Sequence, residues 1–187
     1  EVKEAFMSHR SQLTAVLLAA TSVFALSACV SGNESEEAKE SEIEITTPTG
    51  APAPEFKAEE TDPLISDEIT GERVEDPAMD LSYKWQGTSS APGGGTIVVV
   101  AVTNESDAAM PADTLKPKLE YNSGDKNFKS AQPLDAETAG VDMVGLDMPL
   151  GPGATTNAKY AFNVSTGNLW DAEFTIGNVT FKGNLNN

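Results

Sequence analysis

The feature that most restricts the fold of this chain is a run of apolar and β-branched residues, Thr96-Ile97-Val98-Val99-Val100-Ala101-Val102-Thr103. β-Branched side chains are stiff at χ1 and fit the pleated surface of a sheet better than they fit a helix. Because successive positions are apolar, both faces of the run need cover, as in a central strand. The run therefore predicts a central strand of a β-sandwich.

The flanking sequence alternates with the period of two that a half-buried strand requires. Leu81, Tyr83 and Trp85 fall on one face of one strand, and a second inward set consists of Ala158, Tyr160, Phe162 and Val164. Pro117 favours an edge position for a strand at Leu115–Tyr121. Gly177-Asn178 predicts a hairpin turn. Further strands are predicted near Phe128, at Val141–Met148, at Leu169–Ile176 and at Val179–Leu185.

These patterns give seven to eight short strands in about 109 residues, and no stretch has a convincing helical period. We therefore predict an all-β fold, an immunoglobulin-like antiparallel β-sandwich, over residues 79–187. The Cys pair and the central Trp spacing of antibody domains are missing, so the sequence predicts the architecture only.

Acidic residues are concentrated ahead of this domain. Between Val30 and Asp80 there are sixteen acids and three bases, whereas the rest of the chain to Asn187 has eleven acids and seven lysines. Such a segment repels itself and cannot bury enough apolar surface to offset its ordering entropy. Residues 29–78 are therefore predicted to be a disordered acidic tether that contains Thr and Pro. The alternative is that Gly71–Pro77 forms the first ordered edge of the domain.

Residues 1–28 are interpreted as a leader. Residues 1–6 precede Met7 and suggest translation from upstream of the true start, or an added sequence. Residues 7–28 form the predicted signal peptide, in which His9 and Arg10 are followed by an apolar run of about 14 residues, Leu13–Leu26. This run is shorter than the roughly 20 residues that a membrane-spanning helix needs, and it suits a signal peptide.

The run ends in Leu26-Ser27-Ala28-Cys29, which resembles the lipobox of bacterial lipoproteins. The resemblance implies cleavage between Ala28 and Cys29 and a diacylglycerol on the Cys29 thiol. Two acyl chains form a stable anchor. A membrane contact through Cys29 and a location on the extracellular face of the cytoplasmic membrane follow from this. The alternatives are an uncleaved membrane anchor and a secreted protein with a stray Cys.

The whole layout resembles a family of Gram-positive, especially actinobacterial, surface lipoproteins. Its members carry a lipobox, an acidic or Thr/Pro tether and a C-terminal immunoglobulin-like (telokin-like) domain of unknown function. Three segments carry the resemblance: Ile97–Ser106, Met148–Gly153, and the closing Phe174–Gly177 with Phe181–Gly183. The family implies no catalytic residues for this chain.

Composition limits the chemistry. The net charge of −17 argues against nucleic acid as a partner. The sole histidine is His9 and the sole cysteine is Cys29, so the predicted domain has no Ser-His-Asp triad, Cys-His pair or common zinc site. A Ser–Lys dyad or a carboxylate pair stays open, but no motif places one. We predict no catalytic residue, no cofactor and no metal site.

Two kinds of candidate remain in the predicted domain. The loop aspartates form no dense calcium-ligand run and are interpreted as solvated turn residues: Asp107, Asp113, Asp125, Asp135, Asp142 and Asp147. Trp85 is predicted to be core, whereas Trp170 is the better candidate for an exposed ligand contact. We therefore predict a non-enzymatic module that binds an envelope protein or glycan. The alternative is an accessory ligand-binding lipoprotein of a transport or envelope-assembly system.

Overall fold

The computed structural model describes residues 53–186, so the predicted signal peptide, Ala28 and Cys29 lie outside the described residues. Within residues 53–186 the regular structure is almost entirely strand, with one short helix and one 3₁₀ turn at Thr166–Asn168. The elements are β1 (Leu64–Ser66), β2 (Arg73–Glu75), β3 (Leu81–Ser90), β4 (Thr96–Asn104), β5 (Lys118–Asn122), β6 (Phe128–Ser130), β7 (Pro133–Leu134), α1 (Ala136–Ala139), β8 (Thr155–Phe162), β9 (Ala172–Ile176) and β10 (Val179–Gly183).

The strands form two five-stranded sheets, in the orders β2-β3-β4-β8-β7 and β1-β10-β9-β5-β6. Without β1 and β2, these orders correspond to strands A-B-E-D and G-F-C-C′ of an immunoglobulin-type sandwich. The predicted all-β sandwich is therefore confirmed. The described residues contain ten strands, however, rather than seven to eight, because several strands have only two or three residues.

The sandwich is also not purely antiparallel. Strand β1 pairs in parallel with β10, and Leu64 lies opposite Val179. All other strand pairs in the described part of the chain are antiparallel. The parallel pair arises because β1 comes from the segment ahead of the predicted domain and joins the edge of a sheet that the later strands complete.

The structure places two short strands ahead of the predicted domain boundary at residue 79. Both β1 and β2 precede it, Val74 and Asp76 are buried, and Phe56 packs against the core. In β2 the charged side chains of Arg73 and Glu75 are exposed while Val74 points inward. The acidity of this segment therefore reflects the solvent face of short edge strands, which composition alone does not distinguish from a solvated spacer.

The central strand behaves as its composition predicts. Val98, Val100 and Val102 of β4 have no exposed surface and face the core between the sheets. On the opposite face Ile97 is buried in a smaller cluster with Ala139 of α1, so both faces of the strand are covered. The core aromatics meet across the sheets, as in the edge-to-face contact of Trp85 with Phe174 at 5.8 Å between ring centroids.

Two strand predictions are wrong. Val141–Met148 forms no strand, and its only ladder contact is an isolated bridge at Gly145. Pro117 lies just before β5, and β5 is an inner strand between β9 and β6 rather than an edge strand. Because proline precedes the first paired residue, it removes no hydrogen bond from the ladder.

Candidate functional site

Ala28 and Cys29 cannot be placed, since both lie outside residues 53–186. Among these described residues, no helix has the length and apolar character needed to cross a bilayer. The same part of the chain brings together no three His, Cys, Asp or Glu side chains that could hold a metal ion. Of the loop aspartates, Asp135 caps α1 by accepting a hydrogen bond from Thr138 N at 2.7 Å, and this bond lowers the pKa of its carboxyl group.

A buried carboxylate, missed by the sequence analysis, lies in the loop after β2. Asp76 Oδ1 accepts hydrogen bonds from Met79 N at 2.9 Å, Ala78 N at 3.0 Å and Asn178 Nδ2 at 2.8 Å. Its Oδ2 accepts from Asn178 N at 2.9 Å and from Tyr83 Oη at 3.1 Å. The carboxylate thus joins the β2–β3 connection to the β9–β10 hairpin, on the other sheet.

This hydrogen-bond network connects distant segments of the fold. Asn178 extends it to the amino-terminal segment, since its Oδ1 accepts from Thr61 N and its Nδ2 donates to Glu59 O. Gly177 beside it has a φ of +54°, and a Cβ there would lie 2.2 Å from Tyr83 Oη. Burial and the neighbouring Asp76 raise the pKa of Tyr83. Because Asp76 accepts from donors on both sheets, the cluster holds the hairpin in place.

An exposed aromatic residue lies at the end of the second sheet, between the 3₁₀ turn and β9. Trp170 is 54% exposed, whereas Leu169 beside it is fully buried. Backbone bonds hold Leu169 on both sides, from its N to Thr166 O and from Leu185 N to its O. Because Leu169 occupies the core position at this corner, the indole of Trp170 is directed outward. The predicted exposure of Trp170 and burial of Trp85 are both confirmed.

Trp170 borders a groove of about 340 Å³ beside the β5–β6 turn. The other walls are a half-buried aromatic ring and small or amide-bearing residues, namely Tyr121, Asn122, Ser123, Gly124 and Asn168. No carboxylate or basic side chain lines the groove. It therefore combines one open aromatic face with uncharged hydrogen-bonding groups.

The wall of the groove is held rigidly. Asn122 Nδ2 donates to Asp171 Oδ2 at 2.7 Å, and Asn122 Oδ1 accepts from Gly124 N at 2.9 Å. The backbone bond from Asn122 N to Asp171 O continues the ladder between β5 and β9. In the turn, Asp125 and Lys126 adopt positive φ values of 52° and 60°. A site that is preorganised in this way loses little entropy when a ligand binds.

The fold and the groove together define an immunoglobulin-type sandwich with an uncharged aromatic groove at one end. No protein-family model, curated protein or solved structure matches this chain.

Proposed function

We propose that this protein is an exported lipoprotein, anchored through Cys29, whose sandwich domain binds a glycan of the cell envelope in the Trp170 groove. The apolar run before Leu26-Ser27-Ala28-Cys29 and the resemblance of that sequence to a lipobox support the anchor. The anchor places the domain on the extracellular face of the cytoplasmic membrane. The exposed indole of Trp170 in a preorganised, uncharged groove carries the proposal for binding.

The chemistry of the groove matches a sugar. A pyranose ring has an apolar C–H face that stacks on an indole, and its rim of hydroxyl groups both donates and accepts hydrogen bonds. Binding sites commonly combine an apolar or aromatic surface with a few placed polar groups of this kind. In this groove the indole of Trp170 provides the stacking face, and Ser123 and Asn168 provide the polar rim.

A protein partner fits this groove less well. A stable protein interface covers about 800 Å² on each partner and has a core of several apolar or aromatic anchors. Trp170 is the only aromatic residue among the exposed large hydrophobic residues of the described chain, the others being Leu64, Ile65, Met143 and Met148. A single indole above an amide-lined groove favours a small polar ligand with one apolar face.

Isothermal titration calorimetry with soluble peptidoglycan fragments and wall polysaccharide tests the proposal. We expect Trp170→Ala to weaken glycan binding about 30-fold or more, because an aromatic residue that dominates a binding site contributes about 2 kcal/mol or more. Met148→Ala is the matched control, since Met148 is 65% exposed and lies outside the groove. Equal affinities of wild type and Trp170→Ala, or binding of a purified envelope protein but no glycan, would contradict the proposal.

A further inference from the structure

A second opening lies away from the Trp170 groove, where the residues ahead of β5 approach β7 and β8. It has a volume of about 240 Å³, is open to solvent on one side and shares no lining residue with that groove. Its walls are largely apolar and include Pro117, Leu134, Val144 and Phe162. Lys116 carries the only charge among the described residues that line it. We call this opening the Tyr160 cleft, after the polar side chain at its inner wall.

Tyr160 is the unusual member of this wall. Its side chain comes from β8 and is only 6% exposed, yet its hydroxyl group has no hydrogen-bond partner in the described part of the chain. Every fully enclosed side-chain nitrogen or oxygen in that part does have a partner. The hydroxyl oxygen must therefore reach open space, and the cleft that Tyr160 lines provides it.

Gly145 shows which end of the ring faces the cleft. A Cβ built on Gly145, another residue of the wall, would lie 3.9 Å from Tyr160 Cε1, the ring carbon next to the one that bears the hydroxyl. The hydroxyl end of the ring is therefore beside the open volume. Gly145 has a φ of +79° and is held by the hydrogen bond from its N to Lys159 O at 2.7 Å.

We propose that the Tyr160 cleft binds a small aromatic carboxylate, with its rings among the apolar walls and a carboxylate oxygen accepting a hydrogen bond from Tyr160 Oη. An apolar cavity of about 150 Å³ holds a benzene molecule. The larger volume here accommodates a bicyclic ring. Since the hydroxyl group has no protein acceptor to give up, a ligand carboxylate only has to replace water at its oxygen.

The protonation of Tyr160 and the charge of Lys116 both suit a carboxylate ligand. Burial raises the pKa of Tyr160 to about 12, so its hydroxyl group stays protonated and able to donate at neutral pH. Lys116 is an exposed residue that lines the cleft, and its positive charge favours a carboxylate, although the chain as a whole is strongly acidic. The site is independent of the glycan proposal, and it would suit the ligand-binding role that the sequence analysis left open as an alternative.

Chemical-shift mapping of the ¹⁵N-labelled protein with 2-naphthoate tests the proposal. We expect saturable shifts at the amides of Leu134, Val144 and Gly145 and none around Trp170. Tyr160→Phe keeps the ring and removes the hydroxyl group, and it should weaken binding about 3- to 10-fold, as expected for the loss of one hydrogen bond. Val144→Trp, which fills the cleft from a surface loop, should abolish the shifts.

Tyr121→Phe is the matched control, because it removes a tyrosine hydroxyl group from the other groove and should leave 2-naphthoate binding unchanged. The dispersion of each spectrum reports whether the variant is folded. The proposal is overturned by the absence of saturable shifts up to the solubility limit of 2-naphthoate. It is also overturned by shifts confined to the Trp170 groove, or by equal affinities of wild type and Tyr160→Phe. None of these results bears on glycan binding, which is measured separately.

Discussion

Replacing Asp76 with alanine tests the role assigned to the buried carboxylate. The change removes the acceptor of five hydrogen bonds, three to Oδ1 and two to Oδ2. The donors at Met79 N, Tyr83 Oη and Asn178 remain buried, and each unsatisfied buried donor costs about 1–3 kcal/mol. Since water and small backbone shifts recover part of this loss, we expect a net destabilisation of about 3–5 kcal/mol.

Such a loss is a large part of the roughly 5–15 kcal/mol that stabilises a domain of this kind. For a domain of this size it corresponds to a decrease in melting temperature of roughly 10–20 °C. Urea unfolding followed by tryptophan fluorescence measures it, because Trp85 is buried in the core. Asp76→Asn keeps the shape but turns an NH₂ group towards at least two donors, so it should also destabilise the protein, by a smaller amount.

Asp147→Ala is the control, since Asp147 is an exposed loop residue and should unfold close to the wild-type midpoint. If Asp76→Ala and Asp147→Ala unfold at the same urea concentration, the carboxylate network does not hold the hairpin. If Asp76→Asn is as stable as wild type, the surrounding donors do not need two carboxylate oxygens as acceptors.

Three further predictions concern the core, the buried phenols and the leader. Phe162→Ala should destabilise the domain by about 3–5 kcal/mol, because it leaves a cavity in the core. Lys159→Ala, on the exposed face of β8, should change the urea midpoint of unfolding little. Equal urea midpoints for the two variants would show that the faces of β8 are misassigned. Burial raises the pKa values of Tyr83 and Tyr160 above the value of about 10 in the unfolded chain, that of Tyr160 to about 12, so the stability that both phenols contribute is complete below pH 10 and should decrease as the pH rises towards 12. A denaturation midpoint that is flat over this interval would contradict the burial of the two phenols. Cys29→Ala should block incorporation of a fatty-acid analogue in metabolic labelling, and labelling that survives the substitution would refute the proposed lipid anchor.

Much of the sandwich could be predicted because its inner strands have local patterns that report burial directly. The apolar run of β4 has two covered faces, and the alternation in β8 places Phe162 inward. The hairpin at Gly177 forms where a positive φ is required, since its φ is +54°. In each of these cases the residues that determine the element are neighbours in sequence.

The amino-terminal strands could not be predicted in this way. Each has three residues, too few for an alternating pattern, and each lies among acids that suggest a solvated spacer. Asp76 is no different in sequence from the exposed acids around it. It is buried because the chain returns at Asn178, about a hundred residues later, and provides two of its five hydrogen bonds. Tyr83 provides a third.

The candidate sites likewise combine features set by neighbouring residues with features set by contacts between distant segments. Local sequence was enough to predict the central strands, to exclude histidine and cysteine chemistry from the domain, and to choose Trp170 over Trp85 as the exposed indole. Only the tertiary structure brought Trp170 beside the β5–β6 turn and left the Tyr160 hydroxyl group open to an apolar cleft. Period and composition report whether a side chain is buried, but a groove forms between segments that are distant in sequence, and their meeting depends on how the two sheets pack.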